Sequence, residues 1–351
     1  MKTVGYAAHH AGDTLAPWTF ERRAPRPNDV VMEILYSGIC HSDLHQVNDD
    51  WGFAQFPMVP GHEIVGRVIE VGSEVKKFKV GDAGAVGCMV DSCQHCDQCR
   101  KGQEQFCREG MVATYAANDR VDGSLTQGGY SKHIVVREEF VCTVPQGMDL
   151  SRAAPILCAG ITTWSPLRAL NVGPGSRVGV IGMGGLGHMA AKLAVALGAT
   201  VTMISRSEAK RETAMEIGSD KFLLSSDAEA MKAAANSLDV IIDTVPVKHD
   251  MDPYIGLLDV DGTIAVVGAI GQWAEVNGNG LILGNRSILG SNIGGMPETQ
   301  EVLDFCGRKN ILPKCRLIHP HEINDAYETL KKSDIPYRFV IDMQALEAVR
   351  T

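Results

Sequence analysis

Arg177-Val178-Gly179-Val180-Ile181-Gly182-Met183-Gly184-Gly185-Leu186-Gly187 is the stretch that decides how this chain folds. Its first five residues read as a buried strand, and a helical run from Leu186 to Leu197 follows the last glycine. Between them Gly182-x-Gly184-x-x-Gly187 fulfils the spacing G-x-G-x-x-G. Alone that spacing is weak, because the chain holds 37 glycines. Set between a strand and a helix it is strong. Glycines allow the tight turn and let backbone N–H groups reach a pyrophosphate at a helix N-terminus. Gly182, Gly184, Gly185, Leu186 and Gly187 are therefore expected to hold a dinucleotide.

Outward from the loop the texture repeats. Thr200 to Ile204 reads as a strand, Glu208 to Ile217 as a helix, and Val240 to Asp243 and Thr263 to Val267 as strands. Such alternation specifies a parallel sheet with crossover helices. It ends near Ser287-Ile288-Leu289-Gly290-Ser291, and a helix from Pro297 to Phe305 leads into the C-terminal segment. Upstream, Ser151 reads as a helix cap, and Cys158 to Trp164 continues that helix toward Pro166. The first 150 residues differ. Val30 to Tyr36, Glu63 to Val71 and His133 to Val136 read as strands, and glycines at 66, 72, 81, 84 and 87 suit the corners of a small barrel. The fold class is α/β, a β-barrel part joined to a doubly wound parallel sheet.

The end of the strand after the loop tells which nicotinamide cofactor is used. An acidic residue there would bind the adenine ribose 2′-hydroxyl and repel a 2′-phosphate. Here it reads Ile204-Ser205-Arg206-Ser207, with Lys210 and Arg211 just beyond. A hydroxyl, a guanidinium and an ammonium are what a 2′-phosphate wants, so Ser205, Arg206 and Lys210 favour NADP over NAD.

Two sets of soft ligands precede the loop. Cys93, Cys96, Cys99 and Cys107 lie in the polar stretch Asp91 to Glu109. Four thiolates fill the tetrahedron of a zinc ion and leave no position for chemistry, so this set is expected to be structural. An iron–sulfur cluster is the competing metal, though no proline follows the last cysteine and no second cluster motif is present. The other set is assembled from distant residues: Cys40 at the end of a barrel strand, His62 after Pro60-Gly61, and Cys158 on the helix entering the nucleotide domain. Two sulfurs and one imidazole leave a fourth position open for water or substrate. Cys88, Cys142, Cys306 and Cys315 lack such company and read as small hydrophobes.

Bulk properties narrow the partners. A net charge of −9 argues against nucleic acid and anionic membrane, and no apolar run approaches the roughly 20 residues of a membrane-spanning helix. Met1 to Asp13 contains no apolar signal core. Ten cysteines without one point to a reducing compartment, with the cytoplasm as the expected place.

At these residues the chain resembles the zinc-containing medium-chain alcohol dehydrogenases over almost its whole length. Gly61-His62-Glu63-Ile64-Val65-Gly66 with Gly72 is similar to their zinc signature. Cys40-His41-Ser42-Asp43-Leu44-His45, Cys158-Ala159-Gly160-Ile161-Thr162 and Gly185-Leu186-Gly187-His188 resemble the cinnamyl alcohol dehydrogenase branch with its microbial aldehyde reductases. The resemblance implies a GroES-like catalytic domain, residues 1–155 completed by 295–351, interrupted by a Rossmann domain, residues 156–294. It implies catalytic zinc on Cys40, His62 and Cys158, with Glu63 as an alternating or nearby fourth ligand and Asp43 orienting His62. Thr162 would face the nicotinamide, and backbone at Val267 to Ala269 and Ser291 to Ile293 would bind its carboxamide. Trp51 would wall the substrate pocket, and the strand near Ile288 would pair across the two-fold axis of a homodimer. One departure is Ala113, where members acting on bulky lignin alcohols often carry an aromatic residue.

The implied reaction is transfer of a hydride between NADPH and a small-molecule aldehyde to give the primary alcohol, with one catalytic and one structural zinc. Ser42 would bond to the substrate oxygen, and His45 would pass the proton from solvent. Rival readings are an NAD-dependent polyol or sugar dehydrogenase, against which Ser205-Arg206 speaks, and a non-catalytic sensor of NADP and zinc. Zinc-free quinone reductases share the architecture but need neither cysteine set.

Overall fold

Strand and helix alternate only after residue 158, and the structure divides at that point. It is a computed structural model whose described residues are 1–268, 271, 275–332, 335 and 337–346. One unit comprises Met1–Cys158 with Gly294–Thr351, the other Ala159–Ile293.

The first unit opens with an antiparallel pair, β1 (Lys2–Ala7) and β2 (Ala16–Glu21). β3 (Asp29–Gly38) is the strand on which its main sheet is built. Val30, Val31, Met32 and Ile34 are all 1% exposed or less, so β3 reads as a continuous apolar run. β4 (Ile64–Val71) runs antiparallel to it and continues into β5 (Ala83–Val86). β6 (Met89–Asp91) and β7 (Val112–Ala113) pair with each other on either side of the four-cysteine loop. β8 (His133–Arg137) covers the other flank of β3, and β9 (Cys142–Thr143) joins β5.

The second unit carries β10 (Arg177–Ile181), β11 (Thr200–Ser205), β12 (Lys221–Leu224), β13 (Leu238–Asp243), β14 (Leu258–Val266) and β15 (Ser287–Gly290). All pair in parallel, in the order β12-β11-β10-β13-β14-β15. Strand order reverses between β10 and β13, which in a doubly wound sheet marks the crevice for ligands at the strands' carboxyl ends. The glycine loop leaves β10 at that point, as the sequence reading expects. Two further strands, β16 (Cys315–Ile318) and β17 (Arg338–Asp342), return to the first unit. β17 lies antiparallel to the end of β3, with Val340 opposite Gly38, completing a seven-stranded sheet.

Four local expectations are corrected. The cap before residue 151 is Asp149, whose side chain accepts from Ser151 N, because an ionised carboxylate is the better acceptor there. The helix begun at Leu150 does not run on through Cys158. It gives way to a 3₁₀ turn, Ala154–Leu157, and a new helix starts at Ala159. That helix, Ala159–Ala169, passes through Pro166 instead of stopping before it. Cys40 does not end a strand: β3 stops at Gly38, and Cys40 is the N-cap of the helix His41–Asn48.

Candidate functional site

The cap at Cys40 builds one half of a buried cluster. Asp43, three residues on, turns its Oδ2 back to accept from Cys40 N at 2.9 Å. The same carboxylate accepts from Gly61 N at 3.1 Å and from the Tyr130 hydroxyl at 3.0 Å, and its Oδ1 takes the His62 Nδ1 proton at 2.9 Å. Tyr115 stacks beside the His62 ring with centroids 6.0 Å apart. Asp43 is wholly buried, which is tolerable because donors surround both its oxygens. An imidazole whose Nδ1 donates to a carboxylate presents its Nε2 lone pair outward, ready for a metal. Burial, the largest single influence, would lower the His62 pKa, but the Asp43 charge and hydrogen bond together with the Cys88 and Cys40 sulfurs outweigh it and hold it well above its ordinary range. A cation at Nε2 would replace that proton.

Cys158 supplies the other half from the break between the 3₁₀ turn and the following helix, a position open to a kink that an unbroken helix would forbid. Its Sγ lies 3.8 Å from Cys40 Sγ. Two thiolates bound tetrahedrally to zinc at about 2.3 Å would stand about 3.8 Å apart, so the pair fits that ion. Ligand atoms of Cys40, His62, Glu63 and Cys158 all lie within 4.8 Å of one another, and all four residues are buried. In the protein alone the Cys158 thiol bonds to Cys40, which pulls Cys40 down and pushes Cys158 up. A divalent cation would take both as thiolates.

Glu63 completes the cluster. A Cβ on Gly38 would lie 1.9 Å from its Oε2, so only glycine leaves the carboxylate its space. Glu63 Oε1 is bound by Arg338 of β17, while Oε2 has no hydrogen-bond partner. Burial pushes the Glu63 carboxyl up to about 8. Burial would also lower Arg338, but the charges of Glu63, Cys40 and Cys158 hold that guanidinium firmly ionised. Sequence reasoning missed Arg338, Tyr115 and Tyr130. It also set Cys88 aside as a plain hydrophobe; in the structure its thiol donates to Leu157 O at 3.7 Å, and neighbouring Cys158 draws it below its ordinary range.

Ser42 and His45 share the helix that Cys40 caps. Cys40 Sγ donates to Ser42 Oγ at 3.7 Å, and His45 Nδ1 meets Asp50 Oδ2 at 2.7 Å in a part-exposed position. Trp51 lies 5.5 Å from the His45 ring and stacks on Phe53 at 5.8 Å.

In the four-cysteine loop Sγ atoms of Cys93 and Cys99 are 3.9 Å apart and those of Cys96 and Cys99 3.5 Å. The loop points its amides at sulfur: Cys93 N to Cys107 at 3.4 Å, Cys96 N to Cys93 at 3.3 Å, Cys99 N to Cys96 at 3.5 Å and Arg108 N to Cys96 at 3.4 Å. The amides of Arg108 and Cys99 bring Cys96 down to about 6, the direction a metal-bound thiolate needs. Ligand atoms of all four lie within 4.8 Å of each other, so four sulfurs can together fill a tetrahedral ion's positions.

In the second unit the glycine loop carries the helix Gly185–Ala196. A Cβ on Gly187 would stand 1.9 Å from Gly182 O, so the helix start can lie this close to the turn only without a side chain there. Ser205 ends β11 and its Oγ accepts from Ser207 N at 3.3 Å. Arg206 is exposed, and Lys210 is 9% exposed in the turn that follows. Arg211 is committed to Glu208 and lies over the Phe222 ring at 4.6 Å. Thr162 is buried on the helix Ala159–Ala169. Val267 N donates to Asp243 O and Ser291 N to Val266 O. Ile293 takes φ +37, an unusual value for a β-branched residue. Ala269, named with them on the sequence, lies outside the described residues.

Comparison with known proteins gives one family throughout. The alcohol dehydrogenase GroES-like domain matches residues 26–146, and the zinc-binding dehydrogenase domain matches residues 185–308. The chain is 50% identical to NADP-dependent alcohol dehydrogenase C 1 of Mycolicibacterium smegmatis over 99% of its own length and 100% of that protein. Its structure is similar to a cinnamyl alcohol dehydrogenase of Sorghum bicolor, with TM-score 0.96, 42% identity and both chains covered completely. A cinnamyl alcohol dehydrogenase from Helicobacter pylori, solved with NADP(H), matches at TM-score 0.92 and 42% identity over 98% of this chain and 99% of that one.

Proposed function

The chain belongs to the zinc-containing medium-chain alcohol dehydrogenases, in the cinnamyl alcohol dehydrogenase branch, and from that premise we propose that it reduces an aldehyde to the primary alcohol with NADPH at a zinc held by Cys40, His62 and Cys158. The observation that carries this reading is the buried convergence of Cys40, His62, Glu63 and Cys158, with Asp43 fixing the imidazole. A bound zinc supplies Lewis-acid polarisation of the carbonyl and NADPH supplies the hydride.

The chain's own residues do the rest. Cys40 and Cys158 hold the metal as thiolates, and Asp43 keeps His62 in the tautomer that leaves Nε2 free. Arg338 restrains Glu63 through Oε1, and its unpartnered Oε2 would be the oxygen offered to the zinc as an alternating or nearby fourth ligand. Ser42 holds the substrate oxygen and delivers its proton, and His45 passes a proton in from water. Trp51, with its stacked neighbour Phe53, walls the aldehyde. Gly182, Gly184, Gly185, Leu186 and Gly187 cradle the pyrophosphate, and Ser205, Arg206 and Lys210 take the 2′-phosphate. Thr162 and backbone at Val267, Ser291 and Ile293 position the nicotinamide. Cys93, Cys96, Cys99 and Cys107 hold a second, structural zinc. β15 ends the parallel sheet with Ser287, Leu289 and Gly290 exposed, and it suits pairing with a second copy in a homodimer. No helix among the described residues is long and apolar enough to cross a membrane. Ten free cysteines suit a reducing compartment such as the cytoplasm.

The test is a steady-state assay of purified protein with NADPH against benzaldehyde, cinnamaldehyde and a medium-chain aldehyde, with zinc determined on the same sample. Turnover with both zinc sites filled supports the reading and ranks substrates. Faster turnover of a polyol with NAD would replace it with the polyol dehydrogenase reading.

Two variants probe the roles separately. Ser42→Ala is expected to keep zinc and NADPH binding and to lower turnover about a hundredfold, the scale of a lost proton-transfer partner. An unchanged rate of hydride transfer in single turnover would remove Ser42 from the mechanism. Cys99→Ala, by contrast, is expected to lose one zinc, to reduce folded yield and to lower the melting temperature, because structural zinc binding is part of the folding free energy. Metal analysis and a thermal melt on the surviving protein check this.

A further inference from the structure

Buried Asp243 and part-exposed His249 form a pair that none of the roles above uses. Asp243 ends β13 and is 0% exposed, and its Oδ1 accepts from Val245 N at 3.1 Å. His249 Nε2 lies 3.1 Å from Asp243 Oδ2, an ion-pair contact without the alignment of a hydrogen bond, and neither atom has any hydrogen-bond partner. His249 Nδ1 lies 2.8 Å from Val247 O, and its ring meets Tyr254 edge to face at 5.9 Å. A carbonyl oxygen only accepts, so the proton between His249 and Val247 sits on Nδ1. A neutral ring would then turn a bare lone pair toward a carboxylate oxygen. The contact is attractive only with a further proton between Nε2 and Oδ2. Burial pushes the Asp243 carboxyl up, in the direction that keeps a proton on the pair.

What the pair ties down is a wedge between two turns. Thr244 donates to Ile181 O through its amide at 3.1 Å and its hydroxyl at 2.7 Å. A Cβ on Gly182 would meet Thr244 Oγ1 at 2.9 Å and Val245 Cγ2 at 3.1 Å, so the first glycine of the loop rests on this segment. On the other side Asp243 O accepts from Val267 N at 3.0 Å and Gly268 N at 3.2 Å. The segment therefore touches the pyrophosphate turn after β10 and the turn after β14. Its outer part is exposed at Val247, which is 55% accessible, and the His249 ring returns it to β13.

We propose that His249 is a positioning residue for NADPH: by clasping Asp243 it holds Thr244 and Val245 under Gly182 and Val267, the floor against which the dinucleotide binds. The inference rests on the cofactor reading of the glycine loop given above. It differs from that reading in predicting which change weakens the cofactor without touching it.

The experiment titrates the full chain with NADPH, following nucleotide fluorescence, and compares variants. His249→Ala is expected to weaken NADPH binding about tenfold, the scale of a lost hydrogen bond to a charged group. Turnover at saturating NADPH should stay within about twofold of wild type, so the effect falls on KM for NADPH and not on kcat. Asp243→Asn should bind NADPH about as tightly as wild type, because its carboxamide nitrogen donates to Nε2 while Nδ1 keeps Val247. Should His249→Ala not fold, His249→Phe, which fills the ring's space without a nitrogen, is read in its place. Unchanged affinity in the folded His249 variant overturns the proposal, as does an Asp243→Asn protein equally weakened. A wild-type chain that fails to bind NADPH overturns the cofactor reading itself, and that result appears before any variant is compared.

Discussion

Cys158→Ser is expected to lose the zinc of the Cys40–His62 set, keep that of the four-cysteine loop, and lower aldehyde turnover about a thousandfold or more. The magnitude follows from the several kcal/mol of charge stabilisation a Lewis-acid ion contributes, at about 1.4 kcal/mol per factor of ten. Serine keeps the size of the side chain but does not ionise as a thiol does, so the donor set falls to one thiolate, one imidazole and a restrained carboxylate. The Cys88 thiol, a neighbour of Cys158 that is drawn down by it, makes this a sharper test. If Cys88 moves in as a substitute sulfur, Cys158→Ser retains zinc and activity while the Cys88→Ser/Cys158→Ser double variant loses both. Metal analysis with turnover on both proteins separates the cases. Full activity in the double variant would remove Cys158 from the metal site.

Arg338→Met is expected to cost about 3–5 kcal/mol of folding stability, the usual consequence of stripping one partner from a buried ion pair. Arg338 is 7% exposed and Glu63 0% exposed, so water reaches neither group. With a divalent cation bound, Cys40 and Cys158 would be thiolates and Glu63 a carboxylate, three negative charges that the cation and the Arg338 guanidinium would balance. Without Arg338 the balance is lost and the Glu63 charge has no fixed partner. Glu63→Gln added to Arg338→Met should recover much of the loss, since the orphaned charge is then gone. Denaturant midpoints for the single and double variants check both statements. Equal stability of Arg338→Met and wild type would mean that the metal alone balances the thiolates and Glu63.

What could be read from the sequence was what lies close together along it. The glycine loop shows itself because strand, turn and helix are contiguous. The four cysteines do so because a metal loop closes within fifteen residues, Cys93 to Cys107. Asp43 was reached through the family likeness and turned out to be reciprocally bonded with Cys40, its neighbour by three. Arg338 was invisible, being one of 33 cations in a chain where only the pairing of β17 with β3 brings it to Glu63. Tyr130 was hidden for a similar reason: its hydroxyl reaches Asp43 from 87 residues away, while its own amide is held by Pro60 O. The interruption before Cys158 did leave a mark, Pro155, whose missing amide ends the helix begun at Leu150, but in the otherwise apolar run Ala153 to Gly160 it was passed over.

The order in which this chain leaves the ribosome follows from where β17 sits. By the time Cys158 has emerged, every candidate ligand of the catalytic metal has been made. Glu63 still lacks its counter-ion, which lies 275 residues further along. The nucleotide-binding unit, unbroken from Ala159 to Ile293, can close on itself in the interval. A nascent chain therefore passes through a stage with its thiol ligands made, the edge of β3 bare at Ser37 and Gly38, and the dinucleotide unit already formed. Ligation of that half-made centre by a wrong metal, or its capture by a chaperone, is a hazard of biosynthesis that the finished enzyme no longer faces.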